Sequence, residues 1–94
     1  MTADTAGPAP ATVPSRVLNA RVRNFRGKTF VAMGEQVFEL TETAALAWTS
    51  IDGSRTVADI ARIVCTEYDV DEETALADVS ELLGTLVRAG LIEY

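Results

Sequence analysis

Alternating apolar and polar positions mark the first half of the chain. Residues 28–33, KTFVAM, and 36–40, QVFEL, are short runs rich in β-branched and aromatic side chains. Only Gly34 and Glu35 separate them, and a two-residue Gly-X link is typical of a hairpin with a type II′ turn. A weaker alternation in residues 16–25, followed by Arg26-Gly27, predicts one more strand and turn before them. The first half is therefore expected to form a three-stranded antiparallel meander.

In the second half, apolar residues recur with the spacing of three and four that is typical of amphipathic helices. The pattern predicts a first helix over about residues 43–51, a second after residue 56 and a third after residue 71. The predicted N-caps are Thr41, Thr56 and Asp71. Asp59 completes a capping-box-like pair at the second helix, and Gly90 ends the third as its C′ residue. The fold class is α+β, a three-stranded antiparallel sheet followed by three helices, similar to a winged helix-turn-helix unit.

Composition places a boundary near residue 15. The segment MTADTAGPAPATVPS has one charge and no periodicity, which predicts a flexible N-terminal tail over residues 1–15 before one domain over 16–94. The chain has neither a signal-peptide pattern nor an apolar run long enough for a membrane span. Its one cysteine, Cys65, cannot form an internal disulfide. These features predict a cytoplasmic protein that has no membrane partner.

Charge divides unevenly between the two halves. Residues 1–34 carry five Arg and Lys residues and one Asp, for +4, whereas residues 35–94 carry three Arg and thirteen acids, for −10. An acidic helical half is a poor match for a phosphate backbone, so nucleic acid is not an expected partner despite the winged-helix outline. The basic front half favours an acidic partner, or else its cations line the solvent side of a small sheet.

No residue pattern in the chain indicates an enzyme. There is no histidine for acid–base chemistry near neutral pH, and no serine or cysteine stands in a catalytic motif. The acids at positions 69–73 lack the loop length and central glycine of an EF-hand, and no Cys/His spacing indicates a metal site. The strings DGSRT and DVSEL do not match the serine motif of a phosphopantetheine carrier protein. No catalytic residue, metal or cofactor is predicted.

A binding function is consistent with the predicted sheet. In a simple meander, residues 36–40 form an edge strand whose N–H and C=O groups are unpaired on one side. An extended peptide can add to such an edge, with main-chain hydrogen bonds giving affinity and side-chain pockets giving specificity. The third helix could wall the other side of the groove. The alternative is an edge that is blunted by Glu39 and covered by the tail.

The stretch from Phe38 to Ile92 closely resembles the PqqD-like family of peptide-recognition elements. The resemblance spans about residues 16–93 and rests on the order and spacing of several short motifs. They are Leu40-Thr41-Glu42-Thr43-Ala44, Leu46 to Trp48, Asp52-Gly53, Thr56 to Ile60, Tyr68-Asp69-Val70, Asp78 to Leu86 and Gly90-Leu91. Thr41 stands where Asn is commoner in the family, and both residue types can cap a helix.

The resemblance implies three strands followed by three helices, and a role in pathways that make ribosomally synthesised, post-translationally modified peptides (RiPPs). Family members bind the leader peptide of a precursor as an added strand on their third strand, in a groove shared with the third helix. They present it to a modifying enzyme, such as a radical SAM maturase or a cyclase, or to a leader peptidase. The chain is accordingly expected to be a free-standing, non-catalytic monomer, as in the quinone-cofactor, mycofactocin and lasso-peptide pathways.

Candidate peptide-binding residues follow from that implied groove and from the predicted elements. They are Gln36, Val37, Phe38 and Glu39 on the third strand, Leu76, Val79, Ser80 and Leu83 on the third helix, and Arg21, Arg23 and Lys28 on the first two strands. The strand residues would pair through their backbone, the helix residues would form the groove flank, and the cations would meet acidic leader side chains. Core packing is the alternative role for each helix residue. A winged-helix DNA binder, a carrier protein and a scaffold subunit with a permanently occupied edge are the alternative functions.

Overall fold

The computed structural model describes residues 8–94 of the chain. Its elements, in chain order, are β1 (Ser15–Arg16), β2 (Arg21–Phe25), β3 (Lys28–Met33), β4 (Gln36–Leu40), α1 (Glu42–Ser50), α2 (Val57–Tyr68), α3 (Glu72–Arg88) and β5 (Ile92–Glu93). Strands β2, β3 and β4 form the predicted antiparallel sheet in that order, and the three predicted helices follow it. The α+β prediction is therefore confirmed. The sequence did not predict β1 and β5, which pair with each other in a second, two-stranded sheet.

Two tight turns set the register of the three-stranded sheet. Phe25 pairs with Lys28 and Met33 pairs with Gln36, so each turn contains two residues. Arg26 and Gly27 have φ of 56° and 78°, the two positive values that a type I′ turn requires. Gly34 has φ 61°, while Glu35 is not among the residues with positive φ, which is the sign pattern of the predicted type II′ turn.

The sheet turns one face toward the helices because its side chains alternate between faces. Val22, Val31 and Phe38 are cross-strand neighbours on the inner face, and Val31 is completely buried. The helices supply most of the remaining core, whose largest fully buried side chains include Trp48 and Ile60. Full burial of an aliphatic or aromatic side chain contributes roughly 1.5–3 kcal/mol, so these contacts are the main source of stability.

All the N–H groups that α2 leaves free in its first turn have acceptors. Thr56 Oγ1 accepts from Asp59 N at 3.1 Å, and Asp59 Oδ2 accepts from Thr56 N at 3.0 Å, which completes the predicted capping box. The next two donors bond to the N-terminal segment. Val57 N donates to Thr12 O at 2.8 Å, and Ala58 N donates to Pro10 O at 3.0 Å. The start of α2 is therefore held partly by residues that lie far away in sequence.

The residues that accept these bonds, Pro10 and Thr12, belong to the predicted flexible tail. From Pro8 onward, the N-terminal segment runs against α2 and α3, where Ser80 Oγ donates to Pro8 O at 3.3 Å. Pro14 is fully buried. Alanine and proline carry no amphipathic period, so sequence pattern alone does not reveal packing of this kind. The rest of the predicted tail, residues 1–7, lies outside the described part of the chain.

The C-terminal end of α3 closes the domain. Gly90, at φ 80°, donates to Val87 O, and Leu91 N donates to Leu86 O, which together form the Schellman motif expected at a C′ glycine. Leu91 is fully buried, and its carbonyl accepts from Val17 N beside the β1–β5 pair. Within residues 8–94, no helix is both long enough and apolar enough to cross a membrane.

Removing the Asp59 carboxylate by Asp59→Ala should lower the melting temperature at neutral pH, because Thr56 N–H loses its acceptor. The hydrogen bonds from Thr56, helped by the Arg62 guanidinium, hold the pKa of Asp59 below its ordinary 3.8. A carboxylate whose pKa is depressed on folding stabilises the protein above its unfolded-state pKa. That stability is lost as the pH falls through the folded-state value. The difference from wild type should therefore shrink below about pH 4.

Thermal unfolding followed by circular dichroism at several pH values measures this difference. Glu67→Ala is the control, since Glu67 is an exposed acid on the same helix outside the cap. A difference that stays constant into acid would contradict the role assigned to the carboxylate charge.

Ala58→Pro should release the N-terminal segment without breaking α2. Proline is tolerated in the first turn of a helix, yet the variant lacks the N–H that bonds to Pro10 O. Loss of one such bond should raise elastase cleavage after Ala11 about fivefold. Thr43→Pro is the matched control, because it occupies the same position in α1 and its N–H makes no such bond. Equal cleavage of the two variants would show that the bond does not hold the segment.

Candidate functional site

The hydrogen bonds of β3, the middle strand of the sheet, determine which backbone groups of β4 lack a hydrogen-bond partner. In a β-turn the first residue accepts a hydrogen bond from the fourth, so the pairs that flank the two-residue turns, Phe25–Lys28 and Met33–Gln36, are hydrogen-bonded. Hydrogen-bonded and non-hydrogen-bonded pairs alternate along an antiparallel ladder. Phe38, opposite Val31, is therefore the next hydrogen-bonded residue of β4.

By the same alternation, the N–H and C=O groups of Val37 and Glu39 point away from β3. Neither residue makes any of the loop, turn or cap backbone hydrogen bonds found in residues 8–94. The Val37 side chain is 63 % exposed, so water reaches this edge. Two residues of β4 thus present free donors and acceptors at the spacing that an added strand needs.

The middle of α3 comes near the point where β4 ends and α1 begins. A cleft of about 400 Å³ follows the end of the strand. It is lined by Thr41, Thr43, Ala44, Asp78, Glu81, Leu82 and Thr85. At the turn end of the sheet, Met33 Cε lies 3.6 Å from the position that a Cβ on Gly90 would take. The cleft thus lies between α3 and the residues that follow β4, and the residue after the helix C-cap lies near the β3–β4 turn.

Leu82 and Thr85 of α3 share one flank with Ala89, the C-cap residue, because they stand at i, i+3 and i+7. Leu82 and Ala89 are partly buried against the core, whereas Thr85 is exposed. This flank offers a small apolar surface and a hydroxyl in the cleft that follows the end of β4. An extended peptide bonded to β4 could rest side chains on Leu82 where it passes this cleft.

The four helix residues predicted from the sequence do not lie on this flank. Val79 and Leu83 have 0 % exposure and belong to the core, which was the alternative role for each. Leu76 and Ser80 lie on the other side of the core stripe. Leu76 lines clefts with α2 and with the segment from Pro8 to Pro10, and Ser80 bonds to that segment. A peptide-binding role for these four residues stays a prediction.

The three predicted cations are split between the two edges of the sheet. Lys28 Nζ lies 3.7 Å from Glu39 Oε2 near β4, and both side chains are more than half exposed, so this ion pair adds little stability. Arg21 and Arg23 lie on β2, two strand spacings or about 10 Å from β4. Only Lys28 therefore adjoins the edge at which the leader was predicted to bind.

Sequence reasoning missed Leu82 and Thr85 as residues of the cleft that follows the end of β4. The available signal was the width of the apolar stripe on α3, which exceeds one packing face and has Leu82 at its margin. The structure brings no group of three or more His, Cys, Asp or Glu side chains within residues 8–94 into an arrangement that could hold a metal ion.

Curated relatives share segments of this sequence. The chain is 40 % identical over 58 residues to a protein named "PqqA binding protein" from Xanthomonas oryzae pv. oryzae, covering 62 % of this chain and 63 % of that protein. The match thus spans less than two thirds of that relative's length. The chain is also 30 % identical over 78 residues to the "bifunctional coenzyme PQQ synthesis protein C/D" of Methylorubrum extorquens, covering 83 % of this chain and 21 % of that protein.

Two solved structures share the fold. One is the solution NMR structure of the PqqD truncation of Methylobacterium extorquens PqqCD, described as a functional, stand-alone RiPP recognition element. It aligns with a TM-score of 0.82 at 27 % identity, covering 97 % of this chain and 99 % of that one. The other is lasso peptide synthetase B1 complexed with the leader peptide, with a TM-score of 0.77 at 21 % identity, covering 88 % of this chain and 100 % of that one.

The family match covers most of the chain. It runs over residues 17–92, from the segment before β2 through the sheet and all three helices to β5. It therefore includes both the free edge of β4 and the flank of α3 that lines the cleft after it. This chain belongs to the family described as coenzyme PQQ synthesis protein D (PqqD).

Proposed function

We propose that this protein binds the leader segment of a ribosomally made precursor peptide by adding it as a strand to β4. The observation that carries the proposal is the free edge of β4, where Val37 and Glu39 direct N–H and C=O groups outward. The name "PqqA binding protein" of the relatives and the description of the Methylobacterium domain as a recognition element support the same function.

The pleat of an added strand determines what the leader presents. Side chains on its inner face would lie over Phe38 and Leu82, so apolar residues are favoured there. Side chains on its outer face would lie beside Val37, Glu39 and Lys28, so polar residues are tolerated and an acid could pair with the lysine. Affinity comes from the backbone bonds, and specificity comes from the residues that alternate toward α3.

Catalysis would then belong to a partner. The chain has no histidine, and its relatives are named for binding and recognition, which supports a role without chemistry of its own. In this proposal a monomer carries the leader, in the cytoplasm where the precursor is translated. It presents the leader to a modifying enzyme, such as a radical SAM maturase or a cyclase, or to a leader peptidase.

Glu39→Pro should weaken leader binding at least about tenfold, because it removes an outward N–H that the leader would accept from. The fold should survive, since that N–H is not part of the β3–β4 ladder. Glu39→Gln keeps the N–H and loses the charge, so it should bind like wild type to within about twofold. Asn24→Pro makes the same backbone change on β2 and should leave leader binding unchanged.

The measurement is a titration with a synthetic leader taken from a neighbouring short reading frame, with amide NMR to confirm the fold of each variant. Chemical-shift changes should concentrate at Val37, Glu39 and the Leu82 flank. Wild-type affinity in Glu39→Pro would reject strand addition at β4.

Leu82→Ala and Leu76→Ala test which flank of α3 forms the groove. Leu82→Ala should weaken binding of the same leader about fivefold, because the apolar contact between the leader and the helix becomes smaller. Leu76→Ala makes the same chemical change on the opposite flank and should leave affinity unaltered. Isothermal titration calorimetry measures the leader affinity of both variants. A larger loss of affinity in Leu76→Ala than in Leu82→Ala would favour the flank predicted from the sequence alone.

A further inference from the structure

The sheet has a second free edge, on β2. The alternation that frees Val37 and Glu39 also directs the N–H and C=O groups of Val22 and Asn24 away from β3. Neither residue takes part in the loop, turn or cap backbone bonds of residues 8–94. We propose that this edge docks an extended, acidic segment of a partner protein. This proposal depends on the proposed function in one respect: it takes the partner to be the protein that receives the leader.

A cleft of about 450 Å³ lies beside the β2 edge. Val22 contributes one wall, while Trp48 and Ile51 of the helical layer contribute another. Leu18, at the mouth, has a fully exposed side chain, and Val22 is also partly exposed. Apolar side chains on the inner face of a strand added to β2 would therefore have a partly preformed place to bind.

Positive charge surrounds the same edge. Arg21 and Arg23 extend from the outer face of β2, and the Arg16 guanidinium lies 5.8 Å from the centroid of the Trp48 ring. From Pro8 to Lys28 the sequence contains five Arg and Lys residues and no acid. Asp52 is the one carboxylate lining the cleft. It already accepts from Ser54 N and Arg55 N and pairs with the Arg55 guanidinium at 3.2 Å.

The occupant follows from these charges and from the pleat. A strand added to β2 would turn alternate side chains into the cleft and place the others beside Arg21 and Arg23. Apolar residues alternating with Asp or Glu satisfy both faces. A second copy pairing through its own β2 would bring arginines against arginines, which disfavours a dimer at this edge.

One buried donor near this surface has no partner. Trp48 Nε1 is the one buried side-chain nitrogen or oxygen in the described part of the chain that lacks a hydrogen bond. Buried polar groups are nearly always paired, so an orphan in the wall of a cleft needs a physical reason. Because that nitrogen is buried, an oxygen atom of a docked segment would reach it only if neighbouring side chains shift.

The test uses a short acetylated peptide in which Val and Glu alternate, and a control peptide in which Val and Lys alternate. Trp48 is the only tryptophan in the chain, so its emission reports on the cleft. The Val/Glu peptide should shift that emission saturably, and the Val/Lys peptide should not. Both Asn24→Pro and the double variant Arg21→Glu/Arg23→Glu should weaken Val/Glu binding at least about tenfold, whereas Glu39→Pro should not change it.

Several results would overturn the proposal. The first is binding of the Val/Glu peptide that survives both β2 variants, and the second is the absence of any binding. Equal binding of both peptides, displacement of the peptide by duplex DNA, or dimer formation through β2 in size-exclusion chromatography would also overturn it. If Asn24→Pro fails to fold, the arginine variant alone decides. Leader titration of the same proteins separates the two hypotheses, because losing the β2 site should leave leader affinity at β4 intact.

Discussion

Strand β3 bonds to a neighbour on each side, and this one constraint governs what the molecule can do. With two-residue turns at both ends, each β3 residue serves either β2 or β4 but not both. The outer strands are left with every second residue unpaired. Unpaired N–H and C=O groups that are hydrated cost little free energy, yet they can form hydrogen bonds with any extended chain in the matching register. In the proposed function, recognition would accordingly depend on the backbone more than on reactive side chains.

The helices make such a small sheet stable, and the surface charges keep it from aggregating. Trp48 and Ile60 fill the core, and the segment from Pro8 to Pro14 adds acceptors at the start of α2 that the helix itself lacks. Charged side chains at Arg21 and Glu39 stand on the two outer strands, where they discourage uncontrolled edge-to-edge pairing. A free edge can thus coexist with a chain that is nearly half hydrophobic.

The features that the sequence predicted well are those set by neighbouring residues. The Gly34 turn, the caps at Thr41 and Thr56, and the glycine at position 90 each depend on local backbone chemistry. The features that it missed depend on distant partners, as in the β1–β5 pair and the capping of α2 from the N-terminal segment. Periodicity located the apolar stripe of α3, but it could not tell which neighbour covers each flank. Leu76, predicted to face the groove, lines clefts with α2 and with the N-terminal segment, whereas Leu82 lines the cleft at the start of α1.

The pairing of β1 with β5 brings residue 15 beside residue 93. The chain therefore passes the point at which it leaves the unit when it reaches residue 15, after residues 8–14 have run over α2 and α3. Because β1 and β5 form their own two-stranded sheet, another protein can be joined beyond β5 without distorting the three-stranded sheet. Gene fusion that links recognition to a separate activity in one polypeptide is thus geometrically simple for this fold.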